Sequence, residues 1–174
     1  MDRIKARELA EPSRNPNIPW VLFNGINLAD PIKRYDLAKS AVVEASRMCG
    51  YPIELITINH TDHNLVPMIT AACDLILSTS ETEGWPNCVK EALACDVPFV
   101  ATDTSDLAEI AKVEPSCRIA HDSPRSLGAA ICEVLDYCSN NRPCGLRRHI
   151  EHMELHATAT RLRTLYESII GGSA

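Results

Sequence analysis

Short apolar runs alternate with segments of helical periodicity along this 174-residue chain, and that alternation is what most restricts its fold. The runs predict strands at Trp20–Phe23, Ile53–Ile58, Leu75–Leu77, Val97–Ala101 and Cys117–Ala120. Apart from Glu54, Thr57 and Arg118, they are continuous apolar runs rather than apolar at every second position, which is typical of strands covered on both faces. Strands that alternate with helices favour a parallel sheet between two helical layers. The sequence therefore predicts an α/β protein with a doubly wound, Rossmann-like parallel sheet.

The segments between the predicted strands carry helix signals. Asp30 followed by Pro31 predicts a helix start, because Asp caps helices and Pro fits their first turn, and Gly50 predicts the end of that helix. Further helices are predicted at Val66–Cys73, Pro86–Cys95, about Leu107–Lys112, from Ser123-Pro124 to a break at Asn140–Pro143, and about Leu146–Ile170. We divide the chain into an N-terminal helix and connector (1–19), a Rossmann-like domain (20–145) and a C-terminal helix (146–174).

Length, charge and cysteine usage exclude several classes of protein. The chain suits one domain, and a formal charge of −6 argues against a nucleic-acid partner. No apolar run approaches the ~20 residues that span a bilayer, and the N-terminus lacks the apolar core of a signal peptide, so we expect a cytoplasmic protein. The eight cysteines form no C-x-x-C pair. We expect them to be reduced thiols, mostly buried as small apolar groups.

A polar loop that leads into a helix is the strongest functional motif. Glu83 lies in the loop and Glu91 one turn inside the helix, where it shares a face with Asn87. Gly84 permits close backbone approach, and Pro86 suits a first helical turn. The free N–H groups at a helix start favour an anion. This arrangement suits a ligand with an anionic middle and hydroxyls at both ends, such as a nucleotide sugar.

Polar residues follow the predicted strands, and ligands of doubly wound sheets bind beyond the carboxyl ends of the strands. The segments that meet at this edge are Asn24–Lys33, Asn59–Asn64, Ser78–Asn87 and Thr102–Asp106. His60 and His63 lie there, so each is either a contact to a base or sugar or a solvated side chain. Ser78, Thr79 and Ser80 are interpreted as hydrogen-bonding residues at a strand end. His149, His152 and His156 share a helical face, for which we favour solvent or packing over a metal.

Taken together, these segments resemble the C-terminal, donor-binding half of the retaining glycosyltransferases of family 4, which have the two-domain GT-B architecture. The resemblance covers nearly the whole chain. The residues that carry it are Leu22-Phe23, Lys33–Ala38, Val66–Leu75, Ser80–Gly84, Glu91–Cys95 and Val97–Val100, and the opening Met1–Arg7 also resembles the segment that enters this half.

The resemblance implies roles for individual residues. It implies that Lys33 and Glu83 are the catalytic pair: Lys33 neutralises the departing diphosphate, and Glu83 holds hydroxyls of the donor sugar. Glu91 would accept hydrogen bonds from the ribose. Gly84, Trp85, Pro86 and Asn87 would form the loop and helix start near the sugar and diphosphate, although Trp85 could equally pack within the loop. Because a cation and helix N–H groups stabilise a leaving diphosphate, no metal or other cofactor is expected.

The sequence departs from the family pattern after the first strand. Gly25-Ile26 stands where family members usually carry an arginine, and Arg34 is a possible substitute. The resemblance also implies a missing N-terminal acceptor domain or partner chain, to which the C-terminal helix would bridge. We therefore expect the donor-binding domain of an enzyme that transfers a hexosyl group, with retention, from a UDP- or GDP-linked sugar. The alternatives are a non-catalytic nucleotide-sugar-binding subunit and an inactive remnant.

Overall fold

The computed structural model of the chain describes residues 3–10, 14–141 and 143–171, so Met1-Asp2 and Pro12 of the predicted N-terminal segment lie outside the described residues. Five parallel strands form one sheet in the order β2-β1-β3-β4-β5. The strands are β1 (Trp20–Asn24), β2 (Glu54–Ile58), β3 (Leu75–Ser78), β4 (Phe99–Ala101) and β5 (Arg118–Ile119). The predicted doubly wound parallel sheet is confirmed.

Helices cover both faces of this sheet. They are α1 (Arg3–Ala10), α2 (Tyr35–Cys49), α3 (Val66–Ala72), α4 (Asn87–Ala94), α5 (Leu107–Val113), α6 (Pro124–Asn140) and α7 (Leu155–Gly171). Two 3₁₀ turns, Leu146–His149 and Glu151–Met153, precede α7. Helices α2 and α6 share one buried cluster with the sheet, whereas α1, α3, α4 and α5 belong to the cluster on the other face.

The strand β1 shows why the apolar runs are continuous. Side chains alternate between the faces of a strand, and here both faces meet helices. Val21 and Phe23 belong to the cluster that contains α2 and α6, while Trp20 and Leu22 belong to the opposite cluster. All four side chains are buried. The hydrophobic residues of the strand therefore serve two cores at once.

The strand order creates a crevice at one edge of the sheet. From β1 the chain passes through α2 to β2 on one side, and then crosses β1 to reach β3 on its other side. Connections therefore diverge from β1, and a doubly wound sheet opens at the carboxyl ends of the strands where this happens. The loops after β1, β2 and β3 meet at that point.

Helix α2 begins at Tyr35, so the predicted start at Asp30-Pro31 is wrong. Asp30 instead stabilises a turn, in which its Oδ1 accepts a hydrogen bond of 2.9 Å from the N–H of Ile32. Arg34 then takes a left-handed conformation, with φ 53°. The side chain of Arg34 donates to the carbonyl of Thr79 at 2.7 Å. This contact across the sheet edge holds the segment as a loop, against its local helix signals.

The predicted helix from Leu146 to Ile170 is also wrong in its first third. Gly145, with φ 73°, reverses the chain before the 3₁₀ turns. The buried carboxylate of Glu114 accepts from Arg148 and, at 2.6 Å, pairs with Nε2 of His149, which ties these turns to the end of α5. Glu154 then has an extended backbone, with ψ 146°, and α7 begins after it. Tertiary contacts therefore interrupt the helix.

The N-terminal helix α1 packs on the sheet through a buried arginine. The guanidinium of Arg7 lies 4.6 Å from the ring centroid of Trp20 and forms an ion pair with Asp74. Its Nε donates to the carbonyl of Ala72 at 2.9 Å. A buried charge is tolerated only when its polar atoms are paired, and here the end of α3, Asp74 before β3 and carbonyls of the connector before β1 provide that pairing. The described part of the predicted N-terminal helix is confirmed.

Two cysteines depart from the expectation of reduced thiols. Cys49 on α2 and Cys132 on α6 form a disulfide, with Cα atoms 6.1 Å apart. The pairing follows from the packing of these two helices, which the sequence does not specify. The other six cysteines are free thiols, and Cys73 and Cys117 are buried as expected. Burial raises the pKa of Cys117 to about 11, so this thiol is neutral at pH 7.

Candidate functional site

A cavity of about 670 Å³ opens at the carboxyl ends of β1 and β2 and beside the start of α4, where the topology predicts a ligand site. We call it the edge cavity. Its lining consists of Asn24, Gly25, Ile26, Asn27, Asp30, Lys33, Ile58, His60, Thr61, His63, Val66, Glu83, Trp85, Asn87, Cys88 and Glu91.

The edge cavity brings together most of the residues that the sequence singles out. The residues that line it are Lys33, Glu83, Trp85, Asn87 and Glu91, whereas Gly84 and Pro86 are not part of the lining. Pro86 is the residue that caps α4, with an extended ψ of 116°. The position of these side chains is thus established, while their roles toward a ligand stay predictions.

Glu83 and Lys33 form an ion pair in the cavity lining. Oε1 of Glu83 accepts from the ammonium group of Lys33 and, at 2.7 Å, from the hydroxyl of Ser80. The side chains of Lys33 and Glu83 remain 31% and 16% exposed, so a ligand can reach both. The backbone of Lys33 is fixed, because its carbonyl accepts from the hydroxyl of Thr79 at 2.7 Å. The cation is therefore held in position before a ligand binds.

Arg34, the possible substitute for the missing arginine, is engaged elsewhere. Its side chain donates to the carbonyls of Thr79 and Ser80, at 2.7 and 3.2 Å, and forms an ion pair with Asp122. It is not among the residues that line the edge cavity. In the part of the chain that the structure describes, Lys33 is thus the sole lysine or arginine in that lining.

Glu91, the second glutamate of the cavity lining, is held by a neutral group. The amide of Asn24 donates to its Oε2 at 3.3 Å. Burial raises the pKa of Glu91 above its ordinary value of 4.5, and the nearby His63 partly offsets this. Carboxylates have about four acceptor positions, so Glu91 keeps acceptor capacity for hydroxyls of a ligand.

Asn24 is a site residue that the sequence analysis did not single out. It is the last residue of β1 and the polar end of an otherwise apolar strand. That position at the sheet edge is the signal that could have marked it. Its contact with Glu91, however, joins residues 67 positions apart and depends on how α4 packs beside β1.

The loop before α4 shows two features that matter for binding. The ring of Trp85 packs against the core, with Nζ of Lys90 5.5 Å from its centroid. The buried indole N–H of Trp85 has no hydrogen-bond partner among the described residues. At Gly84, a Cβ atom would meet nothing within 4 Å. Within the described structure, a side chain at this position would therefore meet no steric obstacle.

Thr79, Ser80 and Cys88 also lie at this edge of the sheet. Thr79 and Ser80 donate hydrogen bonds at the end of β3, as the sequence analysis interpreted them. Cys88 lines the cavity, and burial raises its pKa to about 11, which keeps the thiol uncharged at pH 7. No group of three or more His, Cys, Asp or Glu side chains within residues 3–10, 14–141 and 143–171 is arranged to hold a metal ion.

Comparison with known proteins shows the family. Residues 34–137, more than half of the chain, match the family described as Glycosyl transferases group 1. The chain belongs to this family. No curated protein sequence matches the chain significantly.

Solved glycosyltransferase structures share the fold. Sucrose-phosphate synthase from Thermosynechococcus elongatus superposes with a TM-score of 0.73 at 16% identity, over 97% of this chain and 49% of its own. A TarM mutant of S. aureus, in complex with Fondaparinux, alpha-GlcNAc-glycerol and UDP, superposes with a TM-score of 0.67 at 15% identity. The superposition covers 89% of this chain and 36% of TarM. HepE of Anabaena, in complex with UDP and glucose, superposes with a TM-score of 0.62 at 14% identity. The superposition covers 95% of this chain and 52% of HepE.

The chain therefore spans about half the length, or less, of these structures. Its sheet and helices correspond to one part of each larger protein. Among the described helices, none combines the length and the apolar character needed to cross a membrane. The cytoplasmic location expected from the sequence stays a prediction.

Proposed function

We propose that this protein binds a nucleotide-diphosphate sugar in the edge cavity and provides the donor site of a retaining glycosyltransferase of family 4. The complete enzyme transfers a hexosyl group to an acceptor. The observation that carries this proposal is that two partly exposed carboxylates, Glu83 and Glu91, line the same cavity, with Lys33 paired to Glu83. Hydroxyl groups at the two ends of a nucleotide sugar would each meet a carboxylate.

The proposed chemistry depends on how charge develops at the diphosphate. When the bond between the sugar carbon and the diphosphate oxygen breaks, the leaving group gains negative charge. Lys33 and the free N–H groups at the start of α4 lie at the cavity and would stabilise that charge. Glu83 would hold the sugar through its hydroxyls. The proposal includes no metal ion, and an undiminished effect of the nucleotide in the presence of EDTA would support this.

The printed titles of relatives support a nucleotide donor. TarM and HepE are described in complex with UDP, and HepE also with glucose. We extend this to the present chain as a UDP- or GDP-linked donor, since the cavity residues that would face a base do not by themselves distinguish the two.

A partner domain or chain would supply the acceptor site. Helix α7 has no buried residue, and its large apolar side chains, which are Leu155, Leu162, Leu165, Tyr166, Ile169 and Ile170, are exposed. The sequence analysis expects this helix to bridge to another half of the enzyme, and an exposed apolar surface supports such a contact. Because the solved relatives are about twice as long, we propose that α7 contacts an acceptor-binding domain or subunit.

A second candidate function is a nucleotide-sugar-binding subunit without catalysis of its own. The engagement of Arg34 with backbone carbonyls favours this candidate, because it leaves Lys33 as the one lysine or arginine that lines the cavity within the described chain. An inactive remnant is the limiting case, in which the cavity would bind no nucleotide.

Thermal unfolding of the purified chain tests the proposal. UDP, GDP, ADP and their sugar conjugates are added, and the melting temperature is recorded. A ligand that binds only the folded state stabilises it by about 2.7 kcal/mol at a hundredfold excess over Kd. A selective increase with one nucleotide diphosphate would establish a donor site. A cooperative transition with no shift by any of them would favour the remnant. Binding without sugar transfer, even with the acceptor half present, would favour the subunit.

A further inference from the structure

The edge cavity has an unfavourable balance of charge for an anionic ligand. Its lining contains three carboxylates, those of Asp30, Glu83 and Glu91, but one lysine, Lys33. Lys33 is also paired with Glu83 already. With its histidines neutral, this described lining therefore has two excess negative charges. The N–H groups at the start of α4 offset only part of this excess, so a diphosphate that enters the cavity would still meet net repulsion unless further positive charge is supplied.

Two histidines are placed to supply that charge. His60 and His63 follow β2, line the same cavity and have exposed side chains. Neither ring forms a hydrogen bond with any residue in the described part of the chain, so both remain able to face a ligand. His63 is close enough to Glu91 to lower its pKa. His60 has a φ of 51°, a left-handed conformation that histidine adopts more often than most non-glycine residues.

We propose that protonated His60 and His63 supply the positive charge that the edge cavity lacks, so that binding of a nucleotide sugar is coupled to proton uptake. This inference rests on the proposed function and adds two binding residues to it. An anion favours the charged form of a nearby histidine. By linkage, the affinity is then highest at low pH, where the histidines are already protonated, and it falls as the pH rises and protons must be acquired on binding.

The other titratable groups at this cavity do not account for such an effect. Those that face the histidines from the surrounding elements are Asp30, Lys33, Glu83, Cys88 and Glu91, with Asp62 on their own loop. Carboxyl and ammonium groups ordinarily titrate outside the range from about pH 6 to 8. The pKa of Cys88 is raised to about 11. Histidine is the side chain whose charge ordinarily changes within this range.

Isothermal titration calorimetry of the full chain tests the proposal. UDP-glucose and GDP-mannose are suitable probes, because a diphosphate substituted at both ends carries no proton that titrates near neutral pH. Each is titrated at three pH values between about 6 and 8, in pairs of buffers with different ionisation enthalpies. We expect the uptake of up to about one proton per histidine. For each proton taken up, the affinity should weaken on the order of tenfold for each unit by which the pH rises.

Matched variants assign the protons. We expect His60→Gln and His63→Gln each to reduce the uptake, and the double variant to abolish it and to bind weakly at every pH. His156→Gln is the control, since His156 is exposed on α7 and does not line the cavity. The melting temperature of each variant verifies that it is folded.

Two results would overturn the inference while leaving the proposed function intact. One is tight binding by the wild type with no proton uptake and no dependence on pH. The other is an uptake that persists unchanged in the double variant. If neither probe binds the wild type at any pH, the proposed function fails and this inference fails with it.

Discussion

The two carboxylates of the edge cavity are held in different ways. Glu83 accepts from the ammonium group of Lys33 and from the hydroxyl of Ser80. Glu91 accepts from the neutral amide of Asn24, and burial raises its pKa. The charge of Glu83 is thus compensated within the protein, whereas Glu91 retains acceptor capacity. We therefore expect Glu91 to contribute mainly to the affinity for a ligand. At Glu83, we expect a charged ligand to rearrange the existing contacts with Lys33 and Ser80.

Replacing Glu91 should have the largest effect on binding. In Glu91→Ala, the loss of two charge-assisted hydrogen bonds to ribose hydroxyls should weaken the nucleotide by about 3 kcal/mol, on the order of a hundredfold. Calorimetry with UDP and its 2′-deoxy analogue measures this, and the two ligands should bind equally to the variant. Glu109→Ala is the control, because Glu109 is exposed on α5 and pairs with Lys112 outside the cavity. Unchanged affinity in Glu91→Ala would contradict the ribose role.

Replacing Lys33 should have a smaller and more selective effect. Lys33→Met removes the cation that would face the diphosphate, so we expect UDP to bind about tenfold more weakly and uridine to change little. Lys112→Met, an exposed lysine on α5, is the matched control. Equal losses for UDP and uridine would show that Lys33 supports the cavity as a whole rather than the diphosphate.

Removing the neighbour of each carboxylate should sharpen the contrast. Asn24→Ala leaves Glu91 without its amide donor, and we expect a loss of about 1 kcal/mol in the binding of both uridine and UDP. Ser80→Ala removes a donor from Glu83, at the sugar end, and should spare uridine. Binding constants for the two ligands in the two variants provide the test. The same loss of uridine affinity in both would mean that the two ends do not act separately.

The smallest effect concerns stability without ligand. Because burial raises the pKa of Glu91, the folded protein binds this proton more tightly than the unfolded chain does. The ionised carboxylate of Glu91 therefore lowers the free energy of unfolding at pH values above its raised pKa. This destabilisation disappears as the pH falls below the ordinary pKa of 4.5. We expect Glu91→Gln to raise the melting temperature slightly at pH 7 and to have no effect near pH 4. A variant that is less stable at pH 7 would contradict the destabilisation expected from a partly buried carboxylate.

The sequence predicted helices and strands well where residues of the same segment determine their bounds, and less well where contacts with distant residues do. The five strands lie within the expected segments or extend one residue beyond them, and β1 to β4 have apolar residues on both faces, whereas β5 consists of Arg118 and Ile119. The start of α6 follows from Ser123, whose hydroxyl accepts from the N–H of Ser126 at 3.2 Å. The start of α2 did not follow from Asp30-Pro31, because the contact of Arg34 with Thr79 overrides the local signal.

Some features of the candidate site were likewise evident from the sequence, whereas others depend on contacts between distant residues. The spacing of Glu83 and Glu91, and their position around a helix start, were evident from the sequence and place both in the cavity. The partner of Glu91, Asn24, was not, since the two are far apart in the chain. The direction of Arg34 was left open, and only its contacts at the end of β3 and with Asp122 decided it.

By itself, the sequence determined a doubly wound sheet and the edge of it that carries polar residues, because hydrophobic periodicity and chain order specify both. The tertiary structure decided which side chains meet: Lys33 with Glu83, Asn24 with Glu91, Cys49 with Cys132, and Glu114 with the turns before α7. These pairs depend on the packing of whole elements against one another. Local spacing cannot specify a contact whose two halves lie on separate elements.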